Sequence, residues 1–127
     1  MKKLMGILLL GCLHVAWATP HAQVFVSFSM PSLLLKQTLM ESARLEIPAI
    51  LNGLYHNSMS ETAVKIMALS KEVPNLNLQI DPTAFERFGI HQVPALVVSE
   101  GSQFDVIYGN LTLEEGLSRM GKGVVHE

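Results

Sequence analysis

The sequence predicts an α/β fold, a central mixed β-sheet flanked by helices. Three observations predict it. Short β-branched and aromatic runs alternate with longer segments whose apolar residues recur at helical spacing. The first two runs, Val24–Phe28 and Ile47–Leu51, are separated by one helix-length segment, the arrangement of a right-handed crossover between parallel strands. Two later runs, Ala95–Val98 and Phe104–Tyr108, flank Glu100-Gly101-Ser102-Gln103, which reads as the turn of an antiparallel hairpin.

Taken in order, Val24-Phe25-Val26-Ser27-Phe28 is a buried strand. Pro31 suits the first turn of the helix that continues to about Glu46, since its missing N–H would be unpaired there anyway. Leu35, Leu39, Met40 and Ala43 mark the inner face of that helix, and Lys36, Gln37, Glu41 and Arg44 its solvent side. Ile47–Leu51 is the second strand. Ser58-Met59-Ser60-Glu61 is a capping box that opens a helix toward Glu72, and Pro74 stops it. Leu76-Asn77-Leu78-Gln79-Ile80 alternates as a half-exposed strand does. Asp81-Pro82 begins a short helical turn through Phe88, which Gly89 terminates. Pro94 leads into the hairpin, and Thr112-Leu113-Glu114-Glu115 caps a last helix ending near Gly121 and Gly123. The tail to Glu127 is expected to fray.

The N-terminus is a different kind of segment. Lys2 and Lys3, the apolar stretch Leu4–Leu10 and the small-x-small site Ala16-Trp17-Ala18 are the three parts of a secretory signal peptide. The expectation is therefore a signal over residues 1–18, cut after Ala18, and a single domain over 19–127 that carries no direct membrane span. Leu9-Leu10-Gly11-Cys12 resembles a bacterial lipoprotein box, the alternative to cleavage at Ala18. Cys12 is the only cysteine of the 127-residue chain. Cutting after Ala18 leaves a domain with no thiol and no disulfide. Losing Lys2 and Lys3 also takes the formal charge from −2 to −4, so nucleic acid is not an expected partner. The histidines show no ligand spacing, and no metal or other cofactor is expected.

Two features stand out beyond the element pattern. Phe28-Ser29-Met30-Pro31-Ser32 joins a strand to a helix, and Phe88-Gly89-Ile90-His91-Gln92-Val93-Pro94-Ala95 leads into the hairpin. Together they resemble the thioredoxin-like fold, in which a Cys-x-x-Cys at the strand-to-helix turn faces a cis-proline. The resemblance places Ser29 and Ser32 at the two cysteine positions and matches Pro94 to the cis-proline. Ser29-Met30-Pro31, Asn52-Gly53-Leu54, Gln79-Ile80-Asp81-Pro82 and Phe88–His91 with Val93-Pro94-Ala95 are, more narrowly, similar to the TrbC family of F-type conjugative transfer proteins. That similarity runs from Val24 to the last helix. It implies a periplasmic pilus-assembly factor that is not an enzyme and that binds another periplasmic component, a TraW-type protein.

The chemistry of the turn follows from its residue types. A helix N-terminus activates a thiol by lowering its pKa, but a hydroxyl titrates far higher and forms no disulfide. Electron transfer is thus excluded by element. A serine nucleophile would need a base within hydrogen-bond reach, for which His91 is the candidate. Otherwise Ser29 caps the helix. The expected working surface is the vestigial redox turn and the proline loop: Ser29, Met30, Pro31, Ser32, Val93 and Pro94. Met30 is expected to project between them as an adaptable apolar contact. A main-chain edge there could take up an extended peptide by strand addition. The alternatives are a thioredoxin-like oxidoreductase or isomerase, and a general periplasmic chaperone.

Overall fold

Val24, Phe25 and Val26 are fully buried, and the strand that carries them lies at the middle of the molecule. The structure is a computed structural model that describes residues 21–109 and 112–126, with side chains described as far as Met120. The expected signal peptide, with Cys12 and Ala18, lies outside the described residues, as does Glu127. In chain order the elements are β1 (His21–Val26), α1 (Ser32–Leu45), β2 (Ala49–Leu51), a 3₁₀ turn (Tyr55–Asn57), α2 (Met59–Glu72), β3 (Leu78–Ile80), α3 (Pro82–Arg87), β4 (Ala95–Glu100), β5 (Gln103–Tyr108) and α4 (Leu113–His126).

The five strands form one mixed sheet in the order β3-β2-β1-β4-β5. β1 runs parallel to β2, with Phe25 opposite Ile50, and β2 runs parallel to β3. β4 is antiparallel to both β1 and β5, with Phe25 opposite Ala95. Because side chains alternate across a sheet, the core divides into two layers. Val24, Val26, Ala49, Leu51 and Leu96 pack with Leu35 and Leu39 of α1 and Leu113 and Met120 of α4. On the other face, Phe25, Ile50, Ala95 and Val97 meet Phe85 and Phe88 at α3. Phe25 sits edge-on to both rings, with centroids 4.9 and 6.0 Å away.

Several boundaries differ from the sequence expectation. β1 starts three residues earlier, at His21, because β4 extends to pair with it as far as Ser99. It also ends at Val26, since Ser27 and Phe28 are taken into a turn. β2 is shorter than expected because the Ile47 N–H bonds back to the Ser42 carbonyl at 2.8 Å, closing the end of α1 over a left-handed Glu46. α4 continues through Gly121 and Gly123 to His126, since glycine weakens a helix without forbidding it. Gly89 (φ +63°) and Gly101 (φ +64°) do take up the left-handed turns predicted for them.

Glu41, expected on the solvent side of α1, turns inward instead. Its Oε1 accepts from the Leu113 N–H at 2.7 Å and its Oε2 from the Glu114 N–H at 3.1 Å. These N–H groups open α4 and have no partner within their own helix, so a carboxylate from α1 satisfies them and faces the positive helix end. Arg44 lies 3.7 Å from Glu41 and 3.5 Å from Glu114, which extends the link along the surface.

Candidate functional site

The turn between β1 and α1 is built by its own short side chains. The Met30 N–H donates to the Ser27 carbonyl at 3.1 Å. The Ser29 N–H donates to Ser27 Oγ at 3.0 Å, and the two serine hydroxyls share a hydrogen bond at 2.8 Å. Such local bonds from serine fold the chain away from strand geometry before the helix can begin. Pro31 (φ −53°, ψ 136°) is therefore the residue flanking α1 and not part of its first turn, and Ser32 is the first helical residue. Ser29 does not cap the helix: no side chain does, and the Ser29 hydroxyl is committed to Ser27.

Met30 is a further correction. Instead of projecting between the two halves of the site, it is 7% exposed and packs in the α1–α4 layer of the core. Its sulfur accepts the Ser27 N–H at 3.4 Å. The turn bends the chain so that the residue between two exposed ones, Ser29 and Pro31, drops inward.

The Val93–Pro94 peptide bond is cis, as the resemblance implied. Ala95 pairs with Phe25 at the last rung of the β1–β4 ladder, and Pro94 immediately precedes it. The proline loop thus joins the sheet near the end of β1, which closes at Val26. The Pro94 carbonyl accepts from the Gly109 N–H at 3.2 Å, whereas no backbone hydrogen bond among the described residues engages Val93. Pro94 also lines a cavity of about 120 Å³ beneath α1 and α4, with Leu34 and Thr38 among its neighbours.

The six candidate residues do not open onto one pocket. Ser29 faces a groove of about 630 Å³ whose far wall is the Asn52–Asn57 loop. Ser32 faces a second groove, about 430 Å³, between α1 and α2. His91, the candidate base, stacks on Tyr108 at 5.1 Å, and the Ser29 hydroxyl bonds Ser27. The geometry joins no serine to a base.

Sequence reasoning gave the Asn52–Asn57 loop no role, although Asn52-Gly53-Leu54 was one of its quoted motifs. The loop is firmly held. The Tyr55 N–H donates to the buried Thr62 hydroxyl at 2.8 Å, the Tyr55 ring stacks on His56 at 3.8 Å, and Phe28 meets it edge-on at 5.6 Å. Lys65 places its ammonium 4.5 Å from the centre of the Tyr55 ring. His56 (φ 53°) and Asn57 (φ 54°) are consecutive left-handed residues without glycine, a conformation held by these surroundings. The Ser29 and Asn52-Gly53-Leu54 motifs therefore meet across one groove.

Residues 24–120 match the model of the type-F conjugative transfer system pilin assembly protein family, TrbC. The chain belongs to this family. Over 99 residues it is 41% identical to the periplasmic protein TrbC of Escherichia coli (strain K12), covering 78% of this chain and 47% of that relative. It thus spans about half the length of the curated relative it matches. The chain is also similar in fold to an exposed lipoprotein thioredoxin of Streptococcus pneumoniae, with a TM-score of 0.57 at 14% identity over 82% of this chain and 84% of that one. StoA of Bacillus subtilis gives a TM-score of 0.55 at 10% identity over 80% and 82% of the two chains. The fold is thioredoxin-like, as the mixed sheet and its helices already indicate.

Proposed function

We propose that this TrbC-family chain is a redox-inactive assembly factor for a type-F conjugative pilus, acting in the periplasm by protein–protein binding. Family membership supports the pilus-assembly role, and the periplasmic name of the 41% identical relative supports the location. The observation that carries the redox-inactive part is the residue content of the turn. Serine stands at positions 29 and 32, and the one cysteine, Cys12, lies outside the described residues. A chain with no dithiol at the turn cannot exchange disulfides there. The main chain at Val93, which no backbone hydrogen bond among the described residues engages, supplies the edge on which an extended partner segment would pair. Ser29, Pro31, Ser32, Val93 and Pro94 are the proposed contact residues, and Met30 is buried beneath the turn. A TraW-type periplasmic component of the same transfer system is the proposed partner.

The test is co-purification of the tagged protein with the other periplasmic transfer proteins. Retention of one of them, weakened about tenfold by Ser29→Trp, is the expected result, since the indole would occupy the groove mouth without touching the core. Retention of none sinks the proposal. Indiscriminate retention of unfolded polypeptides would point instead to a general chaperone.

A further inference from the structure

Most of the large apolar side chains left exposed among the described residues belong to α1, α2 and the loop before α2. Leu33 (66% exposed) and Met40 belong to α1, and Met59, Val64 (66%) and Met67 to α2, with Leu54 in the loop before it. α2 buries only Thr62. A helix carrying valine, methionine and alanine on its outer surface has more apolar area than its own fold covers.

Between α1 and α2 this surface dips into the groove of about 430 Å³. Met30, Leu35 and Leu69 contribute to it from the core side, small Ala68 leaves room, and exposed Leu33 stands on its rim. Val64 precedes Ala68 by one helical turn and continues the apolar line. Its charges are unbalanced. Of the two carboxylates of α2, Glu72 pairs with Lys36 at 3.6 Å and Glu61 shares a hydrogen bond with the His56 ring at 2.8 Å. Lys65 and Lys71 have no carboxylate within salt-bridge distance among the described residues. The Lys65 ammonium is held over the Tyr55 and Phe28 rings, 4.5 and 5.8 Å from their centres, which keeps its charge at the groove end.

We propose that the α1–α2 groove is a second docking surface, separate from the Val93 edge, and that it takes an amphipathic helix of another protein whose apolar stripe is flanked by acidic residues. Two helices with a trough between them present ridges that a third helix can fill. The unmatched lysines favour acidic flanks on a chain whose formal net charge is −2.

The experiment uses two synthetic helical peptides with the same apolar stripe, one flanked by glutamate and one by lysine. Binding to the purified protein is followed by amide chemical shifts and by calorimetry. The glutamate peptide should shift the amides of residues 32–36 and 64–72 and bind about tenfold more tightly than the lysine peptide. Leu33→Glu should weaken it about tenfold, and Lys65→Glu should reverse the preference between the peptides. Both side chains are on the surface, so both variants retain the fold. Equal binding of the two peptides, shifts confined to other residues, no binding, or self-association of the protein through this face would each overturn the proposal.

Discussion

Glu41 shows how much one side chain can decide. Both of its oxygens accept N–H groups that open α4, and the side chain is 17% exposed. Glu41→Gln replaces one acceptor by a donor facing the Glu114 N–H. It should lower stability by about 1–2 kcal/mol, read as a lower urea midpoint at an unchanged slope. Arg44→Ala removes only surface ion pairs and should cost under about 1 kcal/mol. A Glu41→Gln variant as stable as the parent would show that solvent serves these N–H groups equally well. The role of Glu41 was not legible in the sequence, because helical spacing sorts side chains by polarity and cannot see a partner seventy-two residues away. Met30 escaped for a related reason: its direction is set by the serine-bonded turn before it and not by any periodicity.

The elements themselves were largely legible, above all where a cap announces them. Ser58 accepts from the Glu61 N–H at 3.1 Å, Asp81 from the Ala84 N–H at 3.1 Å, and Thr112 from the Glu115 N–H at 3.0 Å, each at the helix start read from the sequence. The box at Ser58 is only half closed, since the Glu61 carboxylate turns to His56. Ser58→Ala should cost about 1 kcal/mol. Thr62→Val should cost about 1–3 kcal/mol, since it leaves the Tyr55 N–H without an acceptor. The Thr62 variant should also speed hydrogen exchange at Leu54–Asn57, while the Ser58 variant acts mainly on the first turn of α2. Matching exchange profiles would mean that the loop is not held by Thr62. Boundaries were less legible than caps. The extra residues of β1 exist because β4 reaches them, and no window of local sequence contains that pairing.

At the scale of the molecule, the alternation of strands and helices and the terminal hairpin were enough to give the mixed sheet. The candidate site was legible as a juxtaposition, Val93-Pro94 beside the strand-to-helix turn, but not as a shape. Three separate depressions, with Ser29 and Ser32 facing different ones, arise from how α1, α2 and the Asn52–Asn57 loop pack. With serine at positions 29 and 32 and no cysteine among the described residues, the protein should leave insulin disulfides intact under reducing conditions that let a dithiol oxidoreductase turn them over. Measurable turnover would return the chain to the enzymes of its fold.

The carboxylate clasp between α1 and α4 ties the first helix among the described residues to the last of them. Until α4 is in place, Glu41 lacks the N–H groups it binds, and Leu96 lacks the α4 side of its cover. The link between the two helices can therefore form only once α4 has itself been added to the folding domain.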